Sequence, residues 1–207
     1  MAEKVITALR QTSPGRFTVE FEGGESLRST LAAVTDARLY VGMTLDADAF
    51  EELKRSSSRA LEREKVLELL SRRPYSAKEI RDKLLRRGAD EQSVEDCLDW
   101  LERQGFLNDG EYAGAVARHY AAKGYGAGRV KAELQRRGID RELWDETLSQ
   151  MPDTDGKLDA LIARRLKDPS DRDSVRKLSA ALFRRGYSWD EIRAALRRFD
   201  SSCIEDD

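Results

Sequence analysis

The string Leu84-Leu85-Arg86-Arg87-Gly88 returns as Leu134-Gln135-Arg136-Arg137-Gly138 and again as Leu182-Phe183-Arg184-Arg185-Gly186. The three glycines lie 50 and then 48 residues apart. A Leu-x-Arg-Arg-Gly string alone is cheap in a chain with 37 Lys and Arg, but the surroundings repeat as well. Ile80, Val130 and Leu178 stand eight residues before the glycines. Val94, Trp144 and Ile192 stand six after, and Leu98, Leu148 and Leu196 ten after. An internal period of this length marks a tandem array of small supersecondary units. Within each unit the apolar positions on either side of the glycine come in pairs four apart, which places each pair on one helical face. The spacing predicts two helical faces meeting across a glycine turn. A third helix closes each unit, and neighbouring units support one another because each is too small for a generous core.

Capping signals set the helix boundaries. Ser76-Ala77-Lys78-Glu79 and Ser188-Trp189-Asp190-Glu191 have the spacing of capping boxes. Gly88 supplies the left-handed conformation that ends a helix. Asp90 opens the next, which Gly105 closes. Asn108-Asp109-Gly110-Glu111 starts the second unit, whose helices reach about Lys123, span about Ala127–Arg137 and follow Asp140 until Pro152. The third unit repeats the plan from Asp153.

Residues 1–53 read differently. Val5, Thr7 and Leu9 alternate with Ile6, Ala8 and Arg10, and Phe17, Val19 and Phe21 alternate with Thr18, Glu20 and Glu22. Period-two alternation is the mark of half-buried strands. Ser13-Pro14-Gly15 and Gly23-Gly24 are turn signals. A third short strand is expected over Ser26 to Leu31, with one or two helical turns around Gly42. The expected fold is therefore mainly α: three tandem three-helix repeats in an elongated array, preceded by a small β-rich N-terminal domain. The expected divisions are 1–53 for the β-rich domain, 54–59 for a serine-rich linker or the frayed start of a helix, 60–106, 107–151 and 152–199 for the repeats, and 200–207 for a frayed acidic tail.

The catalytic inventory is nearly empty. His119 is the single histidine, and Cys97 and Cys203 are the two cysteines, so neither a metal cluster nor a disulfide framework is indicated. Gly124-Tyr125-Gly126-Ala127-Gly128 looks superficially like a phosphate loop, yet no strand precedes it and no Lys-Ser pair follows. It reads instead as one helix ending at Gly124 and another beginning close by. No apolar run is long enough to span a bilayer and the N-terminus has no signal-peptide pattern, so a cytoplasmic protein is expected. The net charge of −2 argues against a protein that coats nucleic acid by bulk electrostatics, though not against local basic stripes.

The repeated cations carry the functional reading. Arg81, Lys83, Arg86 and Arg87 belong to the second helix of unit one, and Arg129, Lys131, Arg136 and Arg137 hold comparable places in unit two. Arg176, Lys177, Arg184 and Arg185 do so in unit three. Arg118, Tyr120, Lys123 and Tyr125 interleave cations with aromatics at the centre of the array, where Tyr112 reads as core and Tyr125 as exposed. Two readings stay open for the Arg-Arg pairs. Cations near a helix C-terminus complement its dipole, worth roughly 0.3–1 kcal/mol. Alternatively, stacked units line them up toward an acidic partner, which the planar guanidinium suits. On the second reading the partner-binding set is Arg81, Lys83, Arg86, Arg87, Arg118, Lys123, Tyr125, Arg129, Lys131, Arg136, Arg137, Arg184 and Arg185.

Gly105-Phe106-Leu107-Asn108-Asp109-Gly110-Glu111-Tyr112-Ala113, then Lys123-Gly124-Tyr125-Gly126, then Val130, Leu134 and Arg137-Gly138-Ile139 resemble the central stretch of the RecX family, regulators of the bacterial recombinase RecA. The likeness covers roughly residues 60–199, and the β-rich start is similar to an extension carried by some members. Asn108 departs from the family's usual aspartate, but asparagine caps a helix equally well. The resemblance implies three tandem three-helix units that bind RecA filaments along the helical groove. It implies inhibition of strand exchange, ATP hydrolysis and the co-protease activity that triggers the SOS response. It also implies a monomeric, cofactor-free, non-enzymatic protein of DNA repair with at most weak contact to DNA. Two competing expectations are a helical-repeat protein that binds DNA directly, since three-helix units resemble helix-turn-helix modules, and a helical adaptor for another protein.

Overall fold

The computed structural model of the chain describes residues 3–205. Its contacts divide it into two units. One runs through Pro74 and includes Lys83–Phe106; the other is Tyr75–Asp82 with the chain from Leu107 onward.

The first unit begins with the expected hairpin, β1 (Lys4–Ser13) and β2 (Arg16–Phe21), turning through Pro14 and Gly15. β3 (Ser26–Thr30) pairs with β2, and a two-residue β4 (Thr44–Leu45), absent from the sequence reading, pairs with β1. The antiparallel sheet has the order β3-β2-β1-β4. A register shift between Ile6 and Ala8 resets the alternation of β1. It lets both Ile6 and Leu9 reach a core that Val19, Phe21, Leu45, Phe50 and Leu53 complete. Thr30 caps the short α1 (Leu31–Asp36) by accepting from the Ala33 amide at 3.1 Å.

The expected linker at 54–59 is corrected. These residues lie inside α2 (Ala47–Leu70), a 24-residue helix opened by Asp46, which accepts from the Ala49 amide at 2.8 Å. The serine run marks a close approach rather than a hinge. Ser57 is buried with its hydroxyl 2.8 Å from that of Ser29 on β3, and Ser56 returns its hydroxyl to the Leu53 carbonyl. Glu51–Lys54, Glu52–Arg55 and Glu52–Arg59 ion pairs run along the same stretch. Small side chains on the face crossed by β3, satisfied by one another and by the backbone, keep the helix continuous.

The three repeats follow. The first uses the latter part of α2, then α3 (Ala77–Leu85) and α4 (Glu91–Arg103), the last capped by Asp90. The second has α5 (Asp109–Ala122), α6 (Ala127–Arg137), a 3-10 turn at Arg141–Leu143 and α7 (Trp144–Ser149). The third has α8 (Asp155–Arg165), α9 (Arg172–Arg184) and α10 (Trp189–Glu205). Residues 200–205, read as a frayed tail, belong to α10, while Asp206 and Asp207 lie outside the described residues. Repeated positions are buried as the period requires: Ile80, Val130 and Leu178 before the glycine, Val94 and Ile192 after it. The second and third repeats each have their own apolar cluster, one around Val116, Val130 and Leu134, the other around Leu158, Ile162 and Leu182.

Candidate partner-binding surface

In the second unit the Arg-Gly turn of one repeat sits on the first turn of the second helix of the repeat before it, and it does so twice. At the earlier joint, the Ser76 hydroxyl donates to the Arg137 carbonyl at 2.6 Å while accepting from the Glu79 amide at 3.1 Å. Glu79 returns a bond to the Ser76 amide, which closes the capping box. The Ala77 amide donates to Asp109 at 2.9 Å. The Arg137 guanidinium donates to the Tyr112 hydroxyl, which donates to Glu79 at 2.9 Å.

At the later joint, the Gly126 amide donates to the Arg185 carbonyl at 3.1 Å and the Gly128 amide to the Gly186 carbonyl at 2.8 Å. The Arg185 guanidinium lies 4.4 Å from the Tyr125 ring centre and donates to the carbonyls of Gly124 and Lys123. Lys157 donates to the carbonyls of Ala121 and Ala122. Two cations of the third repeat thus satisfy the carbonyl end of α5, a dipole complement given to a neighbouring helix. The segment from Gly124 to Gly128 has the expected break between helices, with Gly124 at φ +69°. Gly126 and Gly128 also lack side chains because the Gly186 backbone occupies that space.

The thirteen residues selected from sequence fall into distinct places. Arg137 and Arg185, each the second arginine of its motif, are half-buried in the joints. Tyr125, expected to be exposed, is half-buried under Arg185 with Tyr120 against its edge. Arg86, Arg87, Arg118, Lys123, Arg129, Lys131, Arg136 and Arg184 are exposed, whereas Arg81 and Lys83 are half-buried. Helical geometry puts Lys131 about 200° around α6 from Arg129, away from the face that Arg129 shares with Arg136.

That shared face is organised by a residue the sequence reading passed over. Glu133 is buried, with 5% of its side chain exposed. It accepts from Arg129 at 3.0 Å and from Arg136 at 2.6 and 3.0 Å, and the Arg137 guanidinium is 3.6 Å away. Burial alone would raise the Glu133 carboxyl. Hydrogen bonds from Arg136 and Tyr120 and the charges of Arg136 and Arg129 outweigh it, holding the group below its ordinary value. The same bonds raise Arg136. Three guanidiniums on one carboxylate leave fixed positive charge at the surface. The signal was legible: Glu133 stands four after Arg129, three before Arg136 and four before Arg137. Two further exposed rings, Phe183 and Trp189, stack at 4.9 Å with planes 16° apart.

Among the described residues no three His, Cys, Asp or Glu side chains gather to hold a metal ion. No helix of the described residues is long and apolar enough to cross a membrane.

Three consecutive three-helix units, two of them docked on a predecessor through the same turn, define a tandem helical-repeat protein that presents arginine-rich surface. Models for the first, second and third three-helix domains of RecX match residues 63–101, 108–148 and 157–196. Regulatory protein RecX of Xanthomonas axonopodis pv. citri (strain 306) is 37% identical over 138 residues, covering 65% of this chain and 85% of that protein. Regulatory protein RecX of Halorhodospira halophila is 33% identical over 146 residues, 67% of this chain and 88% of that protein. A crystal structure of a regulatory protein RecX matches the fold with a TM-score of 0.74 at 22% identity, over 92% of this chain and 97% of the other. That of RecX from Lactobacillus salivarius gives 0.61 at 23% identity, over 69% and 96%. The chain belongs to the RecX family.

Proposed function

We propose that this chain binds filaments of the RecA recombinase and inhibits their recombinase, ATPase and co-protease activities, so modulating DNA repair and the SOS response. Family membership supports the partner, and one structural observation supports the means: Glu133 fixes Arg129 and Arg136 as an exposed cationic pair on the second repeat. Planar guanidiniums held by a buried acceptor are preorganised for carboxylates on a partner, and little side-chain entropy is lost when they engage. Contacts spread over linked repeats add through avidity. In this reading the protein is a cytoplasmic monomer, is not an enzyme and needs no cofactor.

The test is RecA ATPase on single-stranded DNA, titrated with this protein. Wild type is expected to suppress hydrolysis, and Arg136→Glu to weaken suppression about tenfold or more when assayed well below its unfolding midpoint, which falls because Glu133 loses two hydrogen bonds. Undiminished potency of Arg136→Glu would remove the cationic pair from the interface. A second reading, direct action on DNA, draws on the exposed Phe183–Trp189 stack, because exposed aromatic rings suit unpaired bases. Tight binding to bare single strands without RecA, weakening steeply with salt, would favour that second reading.

A further inference from the structure

The Arg-Gly turn occurs three times but is docked only twice. Gly88, Gly138 and Gly186 share the left-handed backbone, at φ +86°, +70° and +93°. The residue after each glycine donates its amide to the carbonyl of the leucine five before it: Ala89 to Leu84, Ile139 to Leu134 and Tyr187 to Leu182. These are three copies of one helix ending. Two are covered. A Cβ at Gly138 would overlap Lys78, and one at Gly186 would overlap the Arg129 backbone. At Gly88 a Cβ would meet nothing within 4 Å, and Arg87 and Gly88 are exposed.

We infer that the Arg87-Gly88 turn is a preformed docking half whose counterpart is the first turn of an α-helix on the partner protein. The inference rests on the recombinase-binding reading. The chemistry of the counterpart follows from the two filled joints. Each presents a helix start with a small residue at the cap, Ser76 or Gly126, whose hydroxyl or amide donates to the arginine carbonyl. At the earlier joint the arginine side chain turns to the first-turn acid, Glu79, directly and through Tyr112. Around the open half, Arg87 lines a shallow groove with Lys65, Glu68, Leu69 and Arg72. Three cations there face one carboxylate, so the groove suits an acidic first turn, as helix starts commonly carry.

A second copy of this chain does not supply the counterpart. The first turns of α3 and α6 are occupied, and the third repeat closes its own. Ser174 holds the place of Ser76 and Gly126, twelve residues before the glycine. There α9 starts earlier: Asp171 caps it and accepts from the Ser174 amide and, at 2.6 Å, from its hydroxyl.

The experiment uses the full chain and RecA filaments on single-stranded DNA. Arg87→Glu is expected to raise the concentration for half-suppression of ATPase about tenfold, with the thermal midpoint unchanged because the side chain is exposed. A benzoylphenylalanine placed at position 87 is expected to crosslink to the first turn of a RecA helix. Full potency of Arg87→Glu in an assay where wild type suppresses would overturn the docking half and leave the functional reading intact. Crosslinks to DNA, to a second copy of this chain or to a RecA segment outside a helix start would also overturn it. Absence of suppression by wild type would overturn the functional reading, and this inference with it.

Discussion

Glu133 keeps 5% of its side chain in contact with solvent while three arginines surround it. Losing one member of a buried charged group strands the others, at about 3–5 kcal/mol for a fully buried pair. Arg129 and Arg136 are 44% and 64% exposed, so water screens part of that cost. Glu133→Ala is therefore expected to lower the unfolding free energy by about 2–3 kcal/mol in urea titrations at neutral pH. The pH dependence has a definite sign. The folded carboxyl lies below its ordinary value of 4.5, so its contribution is complete above that value and fades as pH falls through the depressed one. The gap between wild type and Glu133→Ala should close as the titration is moved from neutral to acid; a constant gap would show that the charge is irrelevant. Asp109 behaves oppositely. Burial raises it against the bond from the Ala77 amide, with Glu79 raising it further, so its charge costs stability at neutral pH. Asp109→Asn keeps an acceptor for Ala77 and is expected to leave stability equal or higher, by up to about 1 kcal/mol in the same titration.

Helix ends meet at the joints between repeats in the second unit, and glycines set how closely they approach. Gly126 has an ordinary negative φ, so its requirement is purely spatial: a methyl there would enter the Gly186 carbonyl. Gly126→Ala is expected to break the Gly126–Arg185 and Gly128–Gly186 backbone bonds at a cost of about 2–3 kcal/mol. Gly156 in α8 meets nothing within 4 Å, and Gly156→Ala is expected to stabilise by about 0.5–1 kcal/mol through helix propensity. Urea unfolding of the two variants should move in opposite directions, and parallel shifts would refute the steric account. The same elements show how far sequence reaches. The repeat was legible because one pattern recurs at matching offsets from three glycines, and both capping boxes and the break at Gly124 because each is local, carried by residues within a turn or two of one another. The meeting of Gly126 with Gly186 was not, because its partner is sixty residues away and backbone atoms leave no side-chain pattern. The serine run at 56–58 misled for the same reason: its small size answers to β3, which is remote in sequence. Both readings of the arginine pairs omitted a third use, in which the second arginine ties one repeat to the previous one, Arg137 through Glu79 and Arg185 through the Gly124 carbonyl.

At the scale of the molecule, the sheet and the first repeat share one helix, so the β-rich segment is no detachable appendage. α2 is capped at Asp46, gives Phe50 and Leu53 to the sheet's core and supplies the buried Val66 within the first repeat. Removing residues 1–58 would cut this helix near its middle and leave about twelve residues, a length marginal on its own. Hydrogen exchange in such a truncated protein is expected to accelerate throughout the remainder of α2 and in α4, which packs on it. Protection in α5, α6, α8 and α9 should persist, since the second and third repeats have cores of their own. Suppression of RecA ATPase separates the contributions further. The truncation disturbs α2, which lines the groove shared with Arg87, but not Arg129, Glu133 or Arg136, so its potency should fall about as far as that of Arg87→Glu, and adding Arg136→Glu should lower it again. Full potency after truncation would assign the whole interaction to the later repeats. Complete loss, with exchange protection of α5 to α9 intact, would mean that the sheet itself meets the filament.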